Sequence, residues 1–149
     1  MTIVVDASVA VKWLIEEPFA DNAEALRKDA ERADQYVVAP PLLPAEVTNA
    51  IYQQLRRREI TEQQAGWAVA QIALFPVDII SDALLHEEAY AFARLHRLGS
   101  VYDSQYIVLA RKLDAELWTD DQRLLNSISH AAPWVQWIGD YPVPGATTP

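Results

Sequence analysis

The chain contains no cysteine, which excludes disulfides and thiolate sites and agrees with a reducing compartment. No apolar run approaches the roughly 18 residues that a membrane span needs. The N-terminal stretch MTIVVDASVAVKW offers neither a basic n-region nor a small-residue cleavage site. The expectation is a soluble, cytoplasmic protein that is not exported and has no membrane partner. Basic residues are few, 12 against 21 acids, for a formal net charge of −9. That balance excludes a broad basic face as the means of holding nucleic acid. It leaves open an enzyme that grips phosphates through metal ions, because such an enzyme concentrates carboxylates where the cations sit. The histidines His86, His96 and His130 lack paired metal-ligand spacing, and no repeat, linker or low-complexity block interrupts the chain.

What is present fits one compact domain. A chain of 149 residues, 51% of them hydrophobic, buries about two-thirds of its unfolded surface. Residues 1–140 are expected to form that domain, and the proline-bearing stretch YPVPGATTP at 141–149 to be an unstructured tail. The short β-branched run TIVVDAS stops at Asp6, and VAVKWLI after it suits a helix capped by Asp6 or Ser8. Pro18 precedes an amphipathic helix, FADNAEALRKDAERA. YVVAP and VDII are further strands, and LPAEVTNAIYQQLRRREI, with Pro44 near its first turn, is a helix. Thr61 caps the next helix, TEQQAGWAVAQIALF; Ser81 or Asp82 opens ALLHEEAYAFARLHRLG, which Gly99 closes. A helix over 102–113, a strand ELWT, a short helix QRLLNSI and an edge strand WVQWI follow. Short strands separated by helices predict a three-layer α/β/α sandwich with a mainly parallel central sheet.

Four acids occupy comparable places in this scheme: Asp6 after the first strand, Glu46 early in a helix, Asp103 at a helix start and Asp121 past the fourth strand. On a 3.6-residue period Tyr106, Ile107 and Ala110 lie within about 60° of Asp103, so its carboxylate shares the core-seeking face. Each acid taken singly has an ordinary explanation, as a helix cap or a first-turn charge favoured by the helix dipole. Jointly they fall where an open parallel sheet binds ligands, at the carboxyl ends of strands and the adjacent helix N-termini. Carboxylates gathered there repel one another unless a counter-ion joins them. Mg2+ or Mn2+ suits an all-oxygen donor set, activates water and stabilises a phosphodiester leaving oxygen.

The order VVDASV (4–9), AEVTNAI (45–51) and VYDSQYIVLARKLDAELWTDDQRLL (101–125) resembles the PIN-domain ribonucleases, and among them the VapC-type toxins of toxin-antitoxin pairs. The resemblance covers nearly the whole chain. It places Asp6, Glu46, Asp103 and Asp121 on the family's catalytic acids, with Asp6, Asp103 and Asp121 as the metal ligands. Ser8 and Thr119 fall on supporting hydroxyls, Asn49 on a polar position one turn after the glutamate, and Asp120 on the variable position of the Thr-x-Asp motif. What this implies is a Mg2+- or Mn2+-dependent endoribonuclease, an RNA substrate, a cognate antitoxin and a homodimer. It also implies an apolar groove between N-terminal helices that receives the antitoxin.

Other features have plainer readings. Arg56, Arg57 and Arg58 end a helix, where cations suit the dipole. Lys12, one to two turns past Asp6, is a candidate for phosphate contact, with solvation the simpler expectation. Trp67 is expected in the core and Trp13 along a groove. The competing functions are a DNA nuclease of the same fold, a phosphoacceptor receiver and a non-catalytic binding module. A receiver carries an Asp pair after its first strand and a lysine after a late one; here one Asp follows the first strand and no lysine follows Asp121.

Overall fold

A computed structural model describes residues 1–145. Its centre is a sheet of five parallel strands, β1 (Thr2–Val5), β2 (Tyr36–Ala39), β3 (Asp78–Ile79), β4 (Glu116–Thr119) and β5 (Val135–Trp137), in the order β3-β2-β1-β4-β5. Parallel strands need crossovers, which the helices supply. These are α1 (Ala7–Ala10), α2 (Ala20–Arg32), α3 (Leu43–Arg56), α4 (Glu62–Gln71), α5 (Leu85–His96), α6 (Tyr102–Lys112) and α7 (Gln122–Ile128). The predicted α/β/α sandwich is therefore the fold observed, and its strand order differs from the 2-1-3-4-5 order of receiver domains.

Register sorts the two faces. Val4 pairs with Val38 and Leu117, and Leu117 with Val135; this row packs with buried residues of α3, α5, α6 and α7. Its neighbours Val5 and Val37 point the other way, onto Ala23, Leu26 and Ala30 of α2. Both faces are covered, so the strands read as continuous apolar runs. Helix α6 is the most enclosed, with Tyr106 through Ala110 all buried, because α5 covers it on one side and the sheet on the other. β3 is two exposed residues at the edge, and β5 is the expected edge strand on the other side.

Several boundaries move. The helix expected over 9–15 is one turn of α1 followed by a 3-10 turn at Val11–Trp13, tied to α2 by the Trp13 indole N–H donating to the Ala23 carbonyl at 2.9 Å. Thr61 does cap α4, in a reciprocal capping box with Gln64. Helix α5 ends earlier than Gly99 implied: Arg97 takes the left-handed closing conformation at φ 54, so no glycine is needed there. The expected tail also starts too early. The Tyr141 hydroxyl donates to Asp29 Oδ2 at 3.1 Å, its carbonyl accepts from Asn22 Nδ2 at 2.7 Å, and its ring meets Trp118 edge-on at 5.0 Å. Residues 146–149 of that expected tail lie outside the described residues.

This anchor joins the C-terminal stretch to α2. Tyr141→Ala is expected to cost about 2 kcal/mol, a drop of roughly 5 °C in Tm; thermal unfolding followed by circular dichroism measures it, and an unchanged Tm would mean the contact carries no stability.

Candidate active site

From β1 the sheet extends through β2 and β3 to one side, and through β4 and β5 to the other. The order therefore reverses between β1 and β4, and a crevice forms at their carboxyl ends. Asp6 follows β1 and Asp120 and Asp121 follow β4. Helices α3 and α6 run back against the strands, so their first turns face the same edge; these turns carry Glu46 and Asp103. Chain topology thus brings the four predicted acids to one crevice.

Asp6 is held hardest. It is 7% exposed. Its Oδ1 accepts from Ser8 Oγ at 2.6 Å and from the Val9 amide at 3.2 Å, which caps α1, and its Oδ2 accepts from Thr119 Oγ1. The same two hydroxyls accept from the β4 loop, Ser8 Oγ from the Asp120 amide at 2.8 Å and Thr119 Oγ1 from the Asp121 amide at 3.0 Å. Ser8 and Thr119 thus fix Asp6 and the loop bearing Asp121 as one unit. Of about four acceptor positions on a carboxylate, three are used here, which leaves Asp6 little more than one direction in which to bind.

The other acids are less constrained. Asp121 caps α7 through Oδ1, which accepts from the Arg123 and Leu124 amides, both at 3.0 Å. Asp103 lies one residue into α6 and caps nothing; Ser100 Oγ, not Asp103, takes the Tyr102 amide. Glu46 Oε1 accepts from the buried Tyr106 hydroxyl at 2.9 Å. Asn49, one turn past Glu46, is exposed and makes no side-chain hydrogen bond among the described residues.

Burial and mutual repulsion raise three of the four carboxyl groups. Burial pushes Asp6 up to about 6 against the pull of its hydrogen bonds, with the Asp103 charge adding to the rise. Burial, then the charges of Asp103 and Asp6, push Glu46 up to about 7 although Tyr106 donates to it. Asp103 is raised by burial and by Asp121. The acids therefore feel one another as a group, yet among the described residues no three stand close enough to enclose a single ion directly. The donor set itself, carboxylate and hydroxyl oxygens without nitrogen or sulfur, is that of a hard cation.

Two sequence expectations need correction. Lys12 is not solvated: its side chain is 3% exposed, and Nζ lies 3.1 Å from Glu17 Oε2 and 2.8 Å from Asp120 Oδ2. Asp120 uses its other oxygen to accept from Trp137 Nε1 at 3.1 Å. It is thus committed to Lys12 and Trp137, while Asp121 faces the crevice. Trp67, expected in the core, is 55% exposed. It walls two hollows, one of about 310 Å3 with Leu14, Ile15 and Ile60, and one with Trp13, Leu74 and Phe75. Trp13 does line a groove. A residue that sequence reasoning missed is Glu17, which receives both Lys12 and the Gln54 amide; the second of two glutamates before a proline carries no signal of that role.

Comparison with known proteins fits this geometry. The PIN domain family model matches residues 3–129. The chain belongs to the PIN-domain family. Within it, this PIN domain is 29% identical over 126 residues to Ribonuclease VapC3 of Pyrobaculum aerophilum, covering 83% of this chain and 92% of that one. A crystal structure of the Pyrobaculum aerophilum protein PAE2754 shares its fold with a TM-score of 0.65 at 20% identity, over 93% of each chain.

Two outcomes are expected. Lys12→Met leaves Glu17 and Asp120 without their cation and should cost about 3 kcal/mol in urea unfolding; a loss below about 1 kcal/mol would show that water already screens the triad. The second concerns pH. Asp6 and Glu46 are raised from their ordinary 3.8 and 4.5, so the fold holds their protons more tightly than the unfolded chain does. Their favourable contribution is complete below about pH 4 and is lost as pH rises through 6 and 7. In EDTA, Tm should fall over that window, and Glu46→Gln should lessen the fall; parallel curves for the two proteins would rule out Glu46 as a source.

Proposed function

We propose that this PIN domain is a metal-dependent endoribonuclease, the toxin of a toxin-antitoxin pair, acting on RNA phosphodiesters in the cytoplasm. The observation that carries this reading is the meeting of four acids from separate segments at the sheet's switch point, where burial, with neighbouring carboxylate charge added, raises Asp6, Glu46 and Asp103. Likeness to Ribonuclease VapC3 supports it. Asp6, Asp103 and Asp121 would hold Mg2+ or Mn2+. With no three acids close enough among the described residues to enclose an ion directly, they would hold it partly through water, as Mg2+ favours.

Hydrolysis forms a bond from a water oxygen to phosphorus and breaks the bond from phosphorus to one ester oxygen. When bound, the ion lowers the cost of ionising that water and offsets charge on the departing oxygen. Glu46, pushed up to about 7, takes the water's proton, since a base is most useful when it titrates near working pH. The Tyr106 hydroxyl orients it. Ser8 and Thr119 keep Asp6 and the Asp121 loop in register. The departing oxygen takes its proton from solvent.

The partner has a place as well. The hollows around Trp67, Leu14 and Ile60 offer an apolar groove suited to an amphipathic helix of the antitoxin, and assembly as a homodimer belongs to the same reading.

The test is cleavage of total RNA by purified, partner-free protein in Mn2+ or Mg2+ against EDTA. Discrete fragments that need both metal and Asp103 are expected, with Glu46→Gln slowing cleavage by roughly 100-fold or more. Asp103→Asn should abolish cleavage while holding or raising the metal-free Tm, because it removes a repelled charge. Intact RNA alongside cut single-stranded DNA would instead assign the site to DNA.

A further inference from the structure

Half of the twelve lysines and arginines of this acidic chain are taken up by carboxylates. Lys12, Arg27, Lys28, Arg32, Arg57 and Lys112 all sit in ion pairs. Arg97 and Arg123 do not, among the described residues, although both line one hollow of about 290 Å3 with Asp103 and Asp121. The same hollow is walled by Ser100 and Ser127. Two guanidinium groups beside two carboxylates, yet paired to neither, leave their donors free for an anion.

Each arginine is placed by the backbone that builds the acid site. Arg123 lies in the first turn of α7, and its amide donates to Asp121 Oδ1 at 3.0 Å, so cap and cation move together. Arg97 closes α5 in a left-handed conformation, φ 54, which turns the chain toward the start of α6 and Asp103. Beyond Arg97 a second hollow of about 460 Å3 continues along α5, lined by Tyr90 and Arg94. There the Arg94 guanidinium stands 5.9 Å from the ring centre of the exposed Tyr90. Alternating arginine and aromatic surface suits a single strand, with phosphates on the cations and a base on the ring.

We infer that Arg97 and Arg123 grip the phosphate next to the one cleaved, and that the RNA strand leaves the acid crevice across them toward Tyr90 and Arg94. This rests on the ribonuclease reading and assigns its substrate track. Arginine rather than lysine fits, because the guanidinium fork holds two phosphate oxygens at once. The pair also resolves an electrostatic difficulty. A crevice of four acids repels RNA, and an ion at its floor neutralises only the scissile group; the flanking phosphate needs its own cations.

The test uses full-length Glu46→Gln protein in Mn2+, so that RNA persists, and a fluorescent single-stranded RNA oligonucleotide titrated at several KCl concentrations. Adding Arg97→Asn and Arg123→Gln should weaken binding by roughly 10-fold or more and lower the slope of log Kd against log salt by about 0.7, the share of one phosphate. Asparagine tolerates the left-handed backbone at 97, and Tm checks that each variant folds. Arg111→Ala, in the last turn of α6 and two turns past Asp103, serves as the charge control and should leave binding as it was. Parent-like affinity and slope in the double variant would overturn the assignment and leave the ribonuclease reading standing. Failure of the parent to bind RNA would remove both, and a change in molar mass by light scattering, with RNA binding intact, would assign the arginines to a second copy of the chain instead.

Discussion

Like charge held at close quarters is the constraint around which this protein is arranged. Asp6 is almost wholly enclosed at the end of the central strand, and in the first turn of α3 burial, with the charges of Asp103 and Asp6 added, raises Glu46. Such a group disperses unless its members are fixed by something other than one another. The fixing is done by two hydroxyls. Ser8 and Thr119 each give a proton to Asp6 and take one from the loop that follows β4. A hydroxyl can do both at once through a single oxygen, which a methyl or an ammonium group could not. The acid site is therefore built before any ion or substrate arrives, at the expense of stability near neutral pH.

Beneath it lies a second charge group with the opposite purpose. Buried Lys12 and half-buried Glu17 and Asp120 form a triad, extended by Gln54 and Trp137. It binds the turn after α1, helix α3 and the end of β5 to the loop that carries Asp121. Adjacent aspartates thus have different fates. Asp120 is neutralised inside the fold, and Asp121 is left to cap α7 and face the crevice. The difference follows from direction, since successive side chains at a strand end point to opposite sides.

The surface around the crevice is divided in chemical character. On the side of α4, Trp67, Leu14 and Ile60 leave an apolar hollow, which suits a protein partner. On the side of α5 and α7, Arg97 and Arg123 leave free cations, which suit a phosphate chain.

Much of this could be read from the residues. The β-branched runs, the prolines and the Thr61 cap mark the strands and most helices, because these signals act over a few residues. The spacing of Asp6, Glu46, Asp103 and Asp121 at strand ends and helix starts was enough to point at one sheet edge, since a parallel sheet allows few other arrangements. Folding alone decided the rest. Whether Lys12 is solvated or buried depends on Glu17 and Asp120 arriving from different segments, and the exposure of Trp67 on how α4 sits beside Leu14, Ile60 and Phe75, with which it walls two hollows. Arg97 and Arg123 are 26 positions apart in the chain and carry no pattern in common; they meet only because α5 and α7 end and begin around the same crevice. Local propensity and periodicity are properties of neighbours in sequence, whereas pairing, burial and free charge are properties of neighbours in space.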